Sequence, residues 1–108
     1  MKESFGGYIR NLRKEKQLTL TQLAAKLDLD SANLSKIENG KREFDSKRLK
    51  KLADIFELDL KKLTNEFLSD QFAKMLYESN CDIEVFKLAE EKVKYIAEKD
   101  TKQTILNI

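Results

Sequence analysis

The sequence predicts an all-α protein, and three observations carry that prediction. Between positions 20 and 37 the apolar residues recur at intervals of three and four, which is the spacing of one helical face. Threonine, serine and aspartate residues stand just before several such runs, where a side-chain oxygen can accept an orphaned backbone N–H. Charged residues make up 37% of the 108-residue chain and hydrophobic residues 41%, a balance typical of a small helical protein with much solvent-exposed surface.

Two short helices, near residues 20–27 and 31–38, are predicted at the centre of the pattern. Thr19 and Asp30 are the expected N-caps, and the turn between the helices spans only three to four residues. The apolar faces are formed by Leu20, Leu23, Ala24 and Leu27 in the first helix and by Leu34 and Ile37 in the second. Two helices joined in this way form the unit that places its second helix in the DNA major groove.

Five further helices complete the prediction, which makes seven in all. The first covers about 4–16, with Ser4 as its cap and with Gly6 and Gly7 each weakening its start by roughly 1 kcal/mol. We expect Asn39 and Gly40 to end the third helix, with Gly40 in a left-handed conformation. The remaining helices are expected near 46–57 behind Asp45, from Leu60 to Phe67 behind Asp59, over 68–79, and from Asp82 to about Lys99. The tail, Thr101–Ile108, is expected to fray or to add a short extended segment.

Several segments, in order along the chain, resemble the Xre/Cro-type helix-turn-helix family of phage repressors and bacterial regulators. They are FGGYIRNLRKEKQLTLTQLA, LSKIENGKR and ELDLKKL, and they lie within residues 5–67. The resemblance implies a five-helix repressor-like DNA-binding domain in residues 1–67. Residues 68–108 then form a two-helix extension, which we expect to be the dimerisation element.

Two positions depart from the commonest pattern of that family. Asp28 stands where the turn usually carries glycine, and aspartate is among the residues that tolerate a left-handed backbone best. Phe44 stands where a proline is often found, in a chain that contains no proline, and we expect its ring to anchor the loop on the core. Neither departure conflicts with the predicted fold.

The distribution of charge, the cysteine content and the hydropathy of the chain indicate which kind of partner and which compartment to expect. Residues 1–66 carry a net charge of +4 and all four arginines, whereas residues 67–108 carry −2. A basic half that meets phosphate and an acidic half kept away from it fit this division, although such an imbalance also arises by chance in a highly charged chain. A single cysteine, no membrane-length apolar run and no secretory signal predict a cytoplasmic protein.

The sequence contains few of the residue patterns that enzymes use for catalysis. It contains no histidine, the usual general base near neutral pH and the commonest metal ligand. Cys81 has no neighbouring motif that would activate its thiol, so a structural role is the expected one. No Gly-rich phosphate loop or metal-ligand spacing is present, and we therefore predict a protein that is not an enzyme and has no metal, cofactor or small-molecule ligand.

The predicted partner is double-stranded DNA, read by the exposed face of the third helix. Because Leu34 and Ile37 point inward, the base-contacting candidates are Ser31, Ala32, Asn33, Ser35 and Lys36. The resemblance implies that Ser31, Ala32 and Lys36 face the base edges. The phosphate-contacting candidates are Arg10, Thr19, Leu20, Thr21, Gln22, Asn39, Lys41 and Arg42. For Lys47, Arg48, Lys50 and Lys51 an ordinary solvated face is the favoured account.

The resemblance also implies a structural ion pair between Arg13 and Glu38, which would tie the first helix to the end of the third. In the extension, a broad apolar face predicts a homodimer interface. Its residues are Phe72, Met75, Phe86, Val93 and Ile96. The same residues could instead fold back and thicken the core of one chain.

The sequence thus predicts a dimeric, sequence-specific transcriptional regulator on a pseudo-palindromic operator. The segment KLAEEKVKYI is similar to regulators encoded beside restriction-modification genes, so control of such genes is one form of this function. An antitoxin that represses its own operon is an alternative, and a protein-interaction module that contacts no DNA is another. The basic loop 39–42 argues against the last of these.

Overall fold

The computed structural model describes the chain from residue 3 to residue 106 and the surroundings of the side chains up to residue 100. Every regular element in this part of the chain is helical, as the sequence predicts. The six α-helices are α1 (Phe5–Glu15), α2 (Leu20–Lys26), α3 (Ser31–Glu38), α4 (Leu49–Phe56), α5 (Leu60–Glu78) and α6 (Glu84–Leu106). None of them combines the length and apolar character that a membrane crossing requires, among the residues described.

The predicted N-caps of the first three helices are confirmed, whereas Asp45 caps the 3₁₀ turn before α4 and α4 itself begins without a side-chain cap. The hydroxyl of Ser4 accepts the Gly7 N–H at 3.1 Å, and the carboxylate of Asp30 accepts the Asn33 N–H at 2.7 Å. Thr19 forms a reciprocal capping box at the start of α2. These bonds satisfy N–H groups that have no partner within their own helices.

Five helices, α1 to α5, end in the same hydrogen-bonding pattern. In each, two backbone N–H groups beyond the end bond back to carbonyls of the last turn, as Gly40 does to Ile37 and Lys41 to Lys36 after α3. The pattern requires one residue of positive φ per helix, and only Gly40 among these is a glycine. The other four are Gln17, Asp28, Glu57 and Asn80, with φ between 53° and 57°. The left-handed conformations expected at Asp28 and Gly40 are therefore confirmed.

Three predicted boundaries were wrong. The fifth and sixth predicted helices form one continuous helix, α5, because no glycine or proline separates Phe67 from Leu68 and the Ser69 hydroxyl bonds back to the Glu66 carbonyl within the helix. The fourth helix begins with a 3₁₀ turn at Ser46–Arg48 and becomes α-helical only at Leu49.

The third error concerns the tail. Helix α6 continues to Leu106, whereas we expected fraying or an extended segment from Thr101 onward. The sequence TKQTIL contains no helix breaker, so the helix has no local reason to end at Lys99. The last two residues of the predicted tail lie outside the described part of the chain.

The helices divide into two compact units, one up to Lys74 and one from Met75 onward. The first holds a core of buried apolar side chains from α1 to α5, in which Ile9, Leu23, Leu27, Leu34, Leu52 and Leu63 are fully buried. Phe44 anchors its loop in this core as expected, with its ring centroid 5.6 Å from that of Phe5. The second unit consists of the end of α5, a turn at Asn80 and α6. The domain boundary at residues 67 and 68 and the roles assigned to the two parts stay predictions.

Candidate nucleic-acid interface

The start of α2 presents backbone donors to solvent. The Thr19 N–H donates to Gln22 Oε1 at 2.8 Å, and the Gln22 N–H donates to the Thr19 hydroxyl at 3.1 Å. Helix geometry leaves the N–H groups of Leu20 and Thr21 without a partner inside α2. These groups, together with the positive end of the helix dipole, can bind an anion such as a DNA phosphate. Because Gln22 Oε1 is engaged in the cap, only its amide NH2 is available for that purpose.

Helix α3 divides the five base-contacting candidates into two groups. Leu34 and Ile37 are buried, as their spacing predicts, and this orients the opposite face outward. Ser31, Ala32 and Lys36 are exposed on that face. The other two candidates, Asn33 and Ser35, are half-buried. A side chain with an exposed polar tip can reach a base edge. Among the three exposed residues, Lys36 has the longest side chain and ends in a hydrogen-bond donor.

The two half-buried candidates are hydrogen-bonded within the protein. Their partners are the N-cap of α3 and two of the phosphate-contacting candidates. Asn33 donates from Nδ2 to Asp30 Oδ2 at 3.1 Å, and its Oδ1 accepts a hydrogen bond from Arg42 Nη1 at 2.9 Å. Ser35 Oγ accepts from Asn39 Nδ2 at 3.5 Å. The structure thus joins α3 to the loop behind it, a connection that no local sequence pattern predicts.

The loop after α3 carries the remaining phosphate-contacting candidates. Asn39, Lys41 and Arg42 are exposed, and the left-handed Gly40, at φ 75°, turns the chain between them. A Cβ at Gly40 would meet nothing within 4 Å, so it is the backbone conformation and not crowding that favours glycine there. Arg10 is also exposed, on α1.

The turn between α2 and α3 is held by side chains from the segment that starts α4. Arg48 donates from Nε to the Leu27 carbonyl at 2.8 Å and from Nη2 to the Asp28 carbonyl at 3.3 Å. Lys51 forms a hydrogen-bonded ion pair with the Asp28 carboxylate, and this bond is the main reason why the pKa of Asp28 lies below its usual range. Lys47, Lys50 and Lys51 are exposed, as the account of a solvated face predicts, and Lys51 adds an ion pair on that surface. For Arg48 that account was wrong, because its side chain is half-buried and bonded to two backbone carbonyls.

Helix α1 supports the C-terminal end of α3. Arg13 donates from Nε and Nη2 to the two carboxylate oxygens of Glu38, at 2.8 and 3.0 Å, and from Nη1 to the Leu18 carbonyl at 3.0 Å. The hydrogen bond to Glu38 is the main cause of a raised pKa of Arg13. Since the side chain of Glu38 is only 4% exposed, the structure brings the two expected partners together in a largely buried pair.

Glycine at position 6 is the second feature of this α1–α3 contact. Gly6 is buried, and a Cβ there would overlap the carbonyl oxygen of Ile37 and lie 3.1 Å from its carbonyl carbon. From the sequence alone, Gly6 was expected only to weaken the start of the helix. Its role is a close backbone approach, which no local pattern signals.

Comparison with known proteins places this geometry in a family. A family model described as helix-turn-helix matches residues 9–63, just over half of the chain. The chain belongs to the helix-turn-helix family. This helix-turn-helix chain is 37% identical over 67 residues to the control protein C.MunI of Mycoplasma sp, a match that covers 61% of this chain and 90% of that protein.

This helix-turn-helix chain is also similar to a repressor and to a solved regulator. It is 44% identical over 57 residues to the HTH-type transcriptional repressor RghR of Bacillus subtilis (strain 168), and this match covers 52% of this chain. The match spans only 42% of RghR, less than half of that protein's length. A crystal structure of the clp gene regulator ClgR from Corynebacterium glutamicum matches with a TM-score of 0.51 and 20% identity, over 89% of this chain and 88% of that chain. At this identity the likeness shows the fold alone.

The dimer-interface candidates of this helix-turn-helix chain are exposed apolar side chains. Phe72 belongs to the unit that ends at Lys74 and is 36% exposed. Met75, Phe86, Val93 and Ile96 belong to the second unit and are each more than half exposed.

Metal binding finds no support in the part of the chain that the structure describes. No group of three histidine, cysteine, aspartate or glutamate side chains is placed there to hold a metal ion.

Proposed function

We propose that this helix-turn-helix protein is a sequence-specific DNA-binding transcriptional regulator that acts as a homodimer on a pseudo-palindromic operator. The observation that carries the proposal is the arrangement of the α3 region. Three exposed side chains, of Ser31, Ala32 and Lys36, lie on the outer face of a helix whose inner face is buried, and two exposed cations follow in the loop. Family membership and the regulatory names of C.MunI and RghR support the same function.

The division of labour follows from the chemistry of the two sets of residues. Lys36 can donate to guanine O6 and N7, Ser31 can bond several bases, and Ala32 can contact a thymine methyl group. The donors at the start of α2 and the cations Lys41 and Arg42 would bind phosphates. Phosphate contacts set register and affinity, whereas base contacts set specificity.

A salt series tests the DNA-binding part of the proposal. Six to eight neutralised phosphates per dimer would give a log–log slope of binding against salt near −5 to −7, by the counterion-release relation. Fluorescence anisotropy with a duplex measures this slope, and Lys50→Ala is the matched control because Lys50 is exposed on α4 and paired with Asp54 at 3.7 Å. A slope near zero would exclude the DNA-binding function and favour the protein-interaction module.

The exposed apolar surface of the second unit supports the dimer part. Burial of apolar surface contributes about 25 cal/mol per Å², so several half-exposed large side chains on one helix favour association. Light scattering at micromolar concentration should give the mass of a dimer. Val93→Lys should yield a monomer, whereas Glu91→Lys, a larger charge change at another exposed position of α6, should not. A monomeric wild-type protein would refute the homodimer.

Selection of binding sites from a randomised duplex library tests both parts together. A dimer should select two related half-sites about 10 base pairs apart, one helical turn of duplex. A single unpaired half-site would contradict the proposed dimeric mode. Control of restriction-modification genes and antitoxin-type autorepression stay predictions.

A further inference from the structure

Asn33 has both ends of its side-chain amide engaged within the protein. It is the third residue of α3, and its own N–H and its Nδ2 both donate to the carboxylate of Asp30, at 2.7 and 3.1 Å. These two bonds orient the amide so that Oδ1 accepts from Arg42 Nη1 at 2.9 Å. The result is a continuous chain of hydrogen bonds from the α3 cap, through Asn33, to a cation nine residues further along.

This series of hydrogen bonds conflicts with a role of Asn33 in reading bases. An asparagine reads adenine by presenting both its carbonyl oxygen and its NH2 group to one base edge. Here the oxygen faces Arg42 and the NH2 group faces Asp30, so reading adenine would require Asn33 to leave both partners.

The guanidinium of Arg42 gains from the same contact. An exposed arginine loses considerable side-chain entropy when it is ordered, and ordering before binding removes that cost from the association step. Arg42 has five N–H donors and uses one of them on Asn33, which leaves others for a phosphate. The contact therefore orders the cation without occupying it.

We propose that Asn33 is a positioning residue for Arg42: the chain Asp30–Asn33–Arg42 holds the guanidinium beside the N-terminal half of α3, where it binds a phosphate next to the bases that this helix reads. The inference rests on the proposed DNA-binding function. It removes Asn33 from the base readers and leaves specificity to Ser31, Ala32 and Lys36.

The free protein provides a first test that does not depend on DNA. Asn33→Ala should increase the fast mobility of the Arg42 side chain, measured by ¹⁵N relaxation of its Nε–H group. Asn33→Asp retains an oxygen acceptor, now charged, but loses the Nδ2 donor to Asp30, so it should leave Arg42 more ordered than Asn33→Ala does. Asn65→Ala, an exposed asparagine change on α5, should have no effect. An Arg42 side chain equally mobile in wild type and in Asn33→Ala would overturn the inference by itself.

A double-mutant cycle in DNA binding provides the second test. Arg42→Ala should lower affinity by about tenfold or more, which is the scale of one hydrogen bond to a charged group, and Asn33→Ala should lower it by no more than Arg42→Ala does. The loss should be equal across single-base operator variants, and the double variant should be little weaker than Arg42→Ala alone, because both changes remove one contact. The melting temperature of each variant separates this effect from a loss of folded protein.

The outcomes distinguish this inference from the function on which it rests. A loss confined to one base pair, additive with Arg42→Ala, would make Asn33 a base reader and would overturn the proposal. If the wild-type protein showed no salt-dependent DNA binding, the proposed function would fail, and the relaxation measurement would still decide whether Asn33 positions Arg42.

Discussion

Alanine substitutions at the adjacent glycines of α1 should have opposite effects on stability. Both Gly6 and Gly7 lie in the first turn, where replacing glycine by alanine stabilises a helix by about 0.5–1 kcal/mol. A Cβ at Gly7 would lie 3.4 Å from the Ser4 hydroxyl and 3.5 Å from the Glu3 Cβ, which are ordinary contacts. Gly7→Ala should therefore be neutral or stabilising by up to about 1 kcal/mol.

Gly6→Ala should destabilise the protein despite the same gain in helix propensity. The new methyl group would overlap the Ile37 carbonyl oxygen and crowd the Glu38 carbonyl oxygen at 3.2 Å. Both are backbone atoms, which cannot rotate away, so α1 and α3 must separate. Overpacking of this kind costs about 1–3 kcal/mol, so we expect a net loss of up to about 2.5 kcal/mol after the propensity gain of about 0.5–1 kcal/mol is subtracted.

Urea unfolding followed by far-ultraviolet circular dichroism measures both changes. It should be run at one fixed protein concentration, because association would make the midpoint depend on concentration. The two variants should differ by about 1–3 kcal/mol, since the propensity term is shared and only the overlap differs. Equal stability of Gly6→Ala and Gly7→Ala would refute the close approach of α1 and α3 as the reason for glycine at position 6.

Three further predictions concern the charged residues. Arg13→Ala leaves a buried carboxylate without its partner and should cost about 3–5 kcal/mol in urea unfolding, whereas Lys50→Ala breaks a surface pair and should cost at most about 1 kcal/mol. Because the folded state lowers the pKa of Asp28, its ion pair with Lys51 stabilises the protein at pH values above the usual carboxyl pKa and is lost on acidification. The difference in stability between wild type and Lys51→Met should therefore vanish between about pH 5 and pH 2. A difference that stays constant over this range would contradict the ion pair. Lys36→Ala should cost about 1–3 kcal/mol on the cognate operator and relax preference at one base pair per half-site, and an equal loss on every single-base variant would show that Lys36 does not read bases.

Local signals in the sequence were sufficient for the elements near the candidate interface. The caps at Thr19 and Asp30 and the inward positions Leu34 and Ile37 depend only on neighbours within one helical turn, and the structure has them as predicted. The break expected after Phe67 was wrong because that boundary followed the end of the family resemblance. No residue at that point interrupts a helix.

Contacts between distant residues could not be inferred from such signals. The hydrogen bond from Arg48 to the Leu27 carbonyl spans 21 residues, and that from Arg42 to Asn33 spans nine. Each bond depends on where two helices or loops meet in the fold. Composition alone does not distinguish an arginine that makes such a bond from one that is only solvated. The Arg13–Glu38 pair was expected only because the family resemblance implied it.

The supports of α3 and its exposed face are formed by different residues, and this separation has a consequence for specificity. Its C-terminal end is held by Arg13 and by the close approach at Gly6, and the turn before it is held by Arg48. None of these side chains lies on the outer face of α3. Substitutions at its exposed positions therefore remove no core contact and should change stability by no more than about 0.5 kcal/mol. If α3 reads DNA as proposed, the same substitutions should change which base pairs are bound, and the scaffold can acquire a new operator without refolding, because the residues that orient α3 are not the proposed base readers.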